Sequence, residues 1–157
     1  MAYMKRLEEN PAAYAEIAGS KKYPDLRGRV DLYDTYEGTL LVISVRGITD
    51  AQGKSSQSFH GFHIHAGDAC TGNAEEPFAG AEGHYNPGNA QHPNHAGDLP
   101  PLLSNHGCAW MSVYTDRFYP EDVIGHTVII HAMPDDFRTQ PSGDAGEMIA
   151  CGVIVSG

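Results

Sequence analysis

Two histidines one residue apart, in the run Phe62-His63-Ile64-His65, constrain this chain more than any other feature. On a strand, successive side chains point to opposite faces, so His63 and His65 share one face. Together they can chelate one ion from one rigid element. Five further candidate ligands follow: His84, His92, His95, Asp98 and His131. Imidazole suits copper, zinc, iron and nickel, and a carboxylate adds charge neutralisation. Six of the nine histidines fall in this set, a concentration that histidines scattered over a solvated surface would not show.

Strand signals dominate the rest of the chain. Residues 29–33 alternate, and residues 39–45 form a longer, more apolar run suited to a buried or core-facing strand. Asp34-Thr35-Tyr36-Glu37-Gly38 between them reads as a hairpin turn. Further strands are expected over 59–65, 108–114, 127–131 and 149–155. Asn10-Pro11 is a plausible helix start, and residues 10–17 leave helix and strand both open. Residues 66–107 are rich in Gly, Pro and Asn. Structureless stretches of that length are uncommon in a compact domain and are usually functional. A bound metal would explain how this one is ordered. A second long loop runs from Asp135 to Gly146.

With 157 residues the chain reads as a single domain over 1–157, large enough for a real core and short for two. Acidic residues outnumber basic ones 20 to 10, for a formal charge of −10. That argues against nucleic acid or an anionic membrane as partner. No apolar run approaches the length of a membrane span. The segment Met1–Asn10 has no apolar core of the exporting kind, so a cytoplasmic protein is expected. Three cysteines are too few for a disulfide scaffold; one disulfide with one free thiol is compatible with them, and a reducing compartment would disfavour it.

Five segments carry a family resemblance: His60-Gly61-Phe62-His63-Ile64-His65, Gly83-His84-Tyr85-Asn86-Pro87, His95-Ala96-Gly97-Asp98-Leu99-Pro100, Thr127-Val128-Ile129-Ile130-His131 and Ala150-Cys151-Gly152-Val153-Ile154. In this order they resemble the copper/zinc superoxide dismutases, in a form like those of some bacteria. The resemblance covers most of the chain from residue 60 onward and is weak over 12–59. It implies an all-β fold, an eight-stranded antiparallel Greek-key barrel or sandwich with long metal-binding loops. It favours a strand over the ambiguous first segment. It implies copper on His63, His65, His84 and His131, and zinc on His84, His92, His95 and Asp98. His84 would bridge both ions, since the two imidazole nitrogens point in opposite directions. Asp135 would orient ligands of both ions, and Cys70 would pair with Cys151. A homodimer is one expectation, although two subunit arrangements occur in the family.

The other histidines have simpler readings. His60 matches a family histidine that is structural, and His106 and His126 have no ligand motif around them. Cys108 reads as a small apolar filler in a strand. Trp110 and the tyrosines read as core and barrel surface.

The chain departs from the family pattern in several places. Only Pro93-Asn94 separate His92 from His95, where many members have a longer excursion. The segment between Cys70 and His84 is longer than usual and carries Glu75 and Glu76. The loop after His131 is shorter than in many members. Most consequentially, the arginine that the family places beside copper, three residues before the second cysteine, is Met148 here. An arginine there attracts and hydrogen-bonds superoxide. Its unscreened charge is worth roughly 3 kcal/mol at about 5 Å and an effective dielectric of about 20. Tenfold in rate takes only about 1.4 kcal/mol, so its loss predicts slower catalysis. Arg138, in the loop after His131, is expected to replace part of that charge.

The expected function is superoxide dismutation by copper redox cycling, with a structural zinc and with His84 as proton donor. The alternative is a copper- and zinc-binding protein of the same fold with weak or no activity. A zinc hydrolase fits less well: no His-Glu-x-x-His base is present, and the ligand set is too rich in histidine for one open zinc.

Overall fold

The computed structural model describes residues 10–157. The reading of Met1–Asn10 therefore lies outside the described residues except for Asn10. Nine strands follow in order: β1 (Ala13–Gly19), β2 (Arg27–Thr35), β3 (Gly38–Arg46), β4 (Phe59–His60), β5 (Phe62–His65), β6 (Leu102–Leu103), β7 (Ala109–Thr115), β8 (Thr127–His131) and β9 (Met148–Ser156). Among the described residues, helix is confined to one turn, α1 (Pro120–Val123), and a 3-10 turn at Ala79–Ala81.

The period-two pattern explains which segments became strands. In β1, Ala13, Ala15 and Ile17 are buried while Glu16 faces water. The same segment is hydrogen-bonded on both sides, to β2 through Ala13↔Leu32 and to β9 through Ala15↔Ile154. Two ladders outweigh the local helix-start signal of Asn10-Pro11, because they pair backbone groups on both edges that a short isolated helix would leave to water. The β2–β3 hairpin keeps its register from Arg27↔Arg46 to Thr35↔Gly38. The Thr35 hydroxyl closes its turn by donating to the Gly38 carbonyl at 2.8 Å.

Seven strands form one curled antiparallel sheet in the order β5-β8-β9-β1-β2-β3-β7, and β4 pairs with β6. Strands β4 and β5 are one strand interrupted at Gly61, whose N–H still donates to the Met133 carbonyl at 2.8 Å. Counted so, there are eight strands. The pair β4–β6 bridges the two ends of the sheet, since β6 also packs against β7. Neighbours such as β3–β7 and β5–β8 are distant in sequence, which is the Greek-key trait. The interior is filled by Leu32, Leu41, Ile43, Phe62, Ile64, Ile130 and Ile154, all fully buried.

Strand β8 is buried at all five positions. One face meets this core. The other carries Ile129, which joins Phe78, Ala81 and Cys151 in a second cluster. A disulfide from Cys70 to Cys151 pins the loop after β5 onto β9 across 81 residues of sequence. The free thiol corrects one expectation. Cys108 is exposed, in a turn just before β7, and strand alternation gives the inward place to its neighbour Ala109. The two-residue strand β6 was not foreseen, because so short a pairing after Pro100-Pro101 leaves no periodic signal.

Candidate metal centre

Strand β5 presents Phe62 and Ile64 to the core, so His63 and His65 take the opposite face. One edge of β5 pairs with β8 through His63↔Ile129 and His65↔Thr127. Its other edge receives two pieces of the long loop. The Tyr85 N–H donates to the Ile64 carbonyl at 2.8 Å, and the Ile64 N–H donates to the Gly97 carbonyl at 2.9 Å. This sets His84 opposite His65 and Asp98 opposite His63. The approach needs glycine at 97, where a Cβ would lie 2.2 Å from the Ile64 oxygen. His131 ends β8 at a bulge and sits across from Met148 at the start of β9.

Two groups of side chains result. Ligand atoms of His63, His65, His84 and His131 lie within 4.8 Å of one another, as do those of His84, His92, His95 and Asp98. His84 belongs to both. The hydrogen bonds around each ring decide which nitrogen is free. A carbonyl or carboxylate oxygen only accepts, so the ring nitrogen facing it carries the proton. His65 donates through Nδ1 to the Glu82 carbonyl at 2.7 Å, and His131 through Nδ1 to the Gly146 carbonyl at 3.0 Å. Their Nε2 atoms are then bare lone pairs facing each other at 3.3 Å. His63 donates through Nε2 to Asp135 Oδ2 at 2.7 Å, and His92 through Nε2 to Asp135 Oδ1 at 2.9 Å. Among the described residues, Nδ1 of His63, Nδ1 of His92 and Nε2 of His84 are buried without a hydrogen-bond partner. His92 Nδ1 does lie 3.1 Å from Asp98 Oδ2, close but not aligned for a hydrogen bond. His84 Nδ1 lies 2.7 Å from Asp98 Oδ1 and 3.4 Å from His95 Nδ1.

In the first group the bare nitrogens converge with no proton between them and would repel one another unless a cation lies among them; in the second, a cation in place of the His84 Nδ1 proton would meet three ring nitrogens and the Asp98 carboxylate. The residues therefore fit two metal ions. Charge on the rings points the same way. Burial pushes the His63 imidazole far below its usual range, helped by the neighbouring His84 and His131 rings. Burial first, then His131, lowers His65 to about 3. Burial lowers His131 to about 4, with the Gly146 carbonyl opposing and His84 adding to the fall. All three are neutral near pH 7, the state a metal ligand needs. Burial disfavours the charged form of Asp98, yet its contacts with His84, His95 and His92 hold its carboxyl below the usual value.

The buried Asp135 carboxylate joins the two groups, with one oxygen on His63 and the other on His92. Such outer partners fix ring orientation and raise ligand basicity. Gly143 closes over it. At φ +76° a Cβ there would lie 2.0 Å from Asp135 Oδ1. Gly97, Gly143 and the two carbonyls at Glu82 and Gly146 were missed in the sequence, because backbone acceptors and close approaches leave no residue pattern.

A cavity of about 560 Å³ opens on the first group, lined by His65, His84, His131 and Met148 among others. Met148 thus lines the opening onto this group. Arg138 is not among the lining residues. It is exposed in the loop, where its N–H donates to Asp136 Oδ1 at 2.9 Å. The charge expected of Arg138 is therefore not part of this cavity's lining. His60 is buried and bonded to Ser56 and to the His131 carbonyl, His126 bonds the Ala66 carbonyl, and His106 is exposed.

A curled antiparallel sheet carrying two adjoining histidine-rich groups that share one imidazole defines a class: an all-β protein built for a pair of metal ions. Residues 26–154 match the family model of copper/zinc superoxide dismutase, and the chain belongs to that family. It is 29% identical to superoxide dismutase [Cu-Zn] 2 of Aquifex aeolicus, over 90% of this chain and 85% of that one. It is 38% identical to the superoxide dismutase [Cu-Zn] of Neisseria meningitidis, over 81% of this chain and 73% of that one. The solved Cu/Zn superoxide dismutase of Brucella abortus superposes with a TM-score of 0.74 at 25% identity, covering 90% of this chain and 98% of that one. The family uses copper and zinc.

Proposed function

We propose that the chain is a superoxide dismutase in which His63, His65, His84 and His131 hold copper, and His84, His92, His95 and Asp98 hold zinc. The observation that carries this reading is His84, buried between the groups with Nδ1 toward Asp98 and His95 and Nε2 left without a partner. When bound, copper supplies one-electron redox chemistry, oxidising one superoxide to dioxygen and reducing a second, with two protons, to hydrogen peroxide, while zinc supplies a fixed charge.

The side chains do the rest. His63, His65 and His131 hold bare nitrogens in place through Asp135, Glu82 and Gly146. Nε2 of His84 is the atom that can hold a proton between the two half-reactions and release it to the leaving product. Asp98 neutralises charge among His84, His92 and His95. Met148 supplies neither charge nor donor, so attraction of superoxide is weak and the rate falls below that of members with the arginine.

That same residue favours a second reading, a copper- and zinc-binding protein of this fold with little activity. One experiment separates them: reconstitute the protein, measure copper and zinc per chain, and follow superoxide decay by pulse radiolysis. Full copper with catalysed decay supports the dismutase. Full copper without it supports the binding protein, and no copper after reconstitution removes the dismutase reading.

A further inference from the structure

The cavity over His65, His84 and His131 has an unexpected lining. Glu75, Glu76, Glu82 and Glu147 contribute to it, and among the described residues no lysine or arginine does. Glu147 is paired with Lys22, at 2.9 Å; among the described residues, Glu75, Glu76 and Glu82 have no ion pair and are exposed. Beneath these carboxylates lies a second, independent feature. The His84 side chain is only 2% exposed, and its Nε2 has no partner. The bare Nε2 atoms of His65 and His131 stand 3.3 Å apart beside it. Carboxylates above unpartnered nitrogens make a path that is attractive to a cation from rim to floor. The same rim repels an anion. Met148 leaves the path without the fixed positive charge that would hold a cation back.

We infer that this cavity is a cation entrance, in which Glu75, Glu76 and Glu82 draw a copper ion from solution toward Nε2 of His65, His84 and His131, and that the same charges slow superoxide. The inference rests on the copper reading given above. Charge-lined clefts change association rates by about 10–10³ in general, and this family is itself a standing example of such steering. Here the sign favours the metal over the substrate.

The test uses zinc-loaded protein mixed with aqueous copper(II) in a non-coordinating buffer, with uptake followed by stopped-flow absorbance. Ionic strength is raised from about 10 mM to about 150 mM, over which the Debye length shrinks from about 30 Å to about 8 Å. The uptake rate is expected to fall several-fold with salt. In the variant Glu75→Gln/Glu76→Gln/Glu82→Gln it should be slow and flat. Met148→Arg should also slow uptake. On the copper-loaded proteins, superoxide decay should move the opposite way: faster with salt, faster in the triple variant, faster in Met148→Arg. Copper bound at one per chain, with uptake indifferent to salt and to both variants, overturns the entrance and leaves the copper reading standing. Failure of the unmodified protein to take up copper overturns both.

Discussion

The Asp135 carboxylate accepts a hydrogen bond on each oxygen, from His63 on one side and His92 on the other. An amide in its place can accept on one side only and turns an N–H against a ring N–H on the other. Asp135→Asn should therefore misorient either His63 or His92 and weaken binding of the metal at that ring about 10–100-fold, as loss of such partners does elsewhere. Competition with a graded series of chelators measures this for copper and zinc separately. Arg138 lies on the loop surface and does not line the cavity, so Arg138→Ala should leave superoxide decay and its salt dependence unchanged. A clear loss of rate in pulse radiolysis would return that residue to the site.

At the scale of elements, the centre exists because two loop segments add themselves to the free edge of β5. Gly97 is the hinge point of that addition. Gly97→Ala sets a Cβ against the Ile64 oxygen and forces the segment away from the strand. Overpacking of this kind costs about 1–3 kcal/mol. The expected result is a lower thermal midpoint together with less than one zinc per chain, since Asp98 follows Gly97 directly. Thermal unfolding combined with metal analysis checks both; a full zinc complement at the unmodified midpoint would show that the loop does not need this approach. The strands themselves were readable from period two in 29–33, 39–45 and 127–131, because each keeps one face in the core. Residues 66–107 were not, because their order comes from scattered hydrogen bonds within the loop and to β5, and from the disulfide, rather than from any repeating pattern.

For the whole molecule, two terms decide how firmly the loops are held. The Cys70–Cys151 disulfide closes 81 residues of chain. Constraint of the unfolded state over such a loop is worth about 4–5 kcal/mol on the chain-entropy model. Cys70→Ser/Cys151→Ser should lower the urea midpoint by a large fraction of the total stability, and an unchanged midpoint would mean that the metals alone hold the loop. The second term is pH. His65 and His131 titrate at about 3 and about 4 when folded, against about 6.5 unfolded. The unfolded chain thus binds protons first as pH falls, and metal-free protein should lose stability progressively from about pH 6.5 down to about pH 3. Urea unfolding at a series of pH values measures it; a flat profile would contradict the burial of these rings. By itself the sequence determined the longer strands, the seven candidate ligands and the departure at Met148, because alternation and motif order are written in residue types. The tertiary structure alone decided which nitrogens of these rings are free, that Asp135 bonds a ring of each group, that Arg138 is exposed outside the cavity lining and that glutamates line the cavity over His65, His84 and His131. Those depend on carbonyl groups and loop faces brought together from distant positions, and neither leaves a mark in the order of residues.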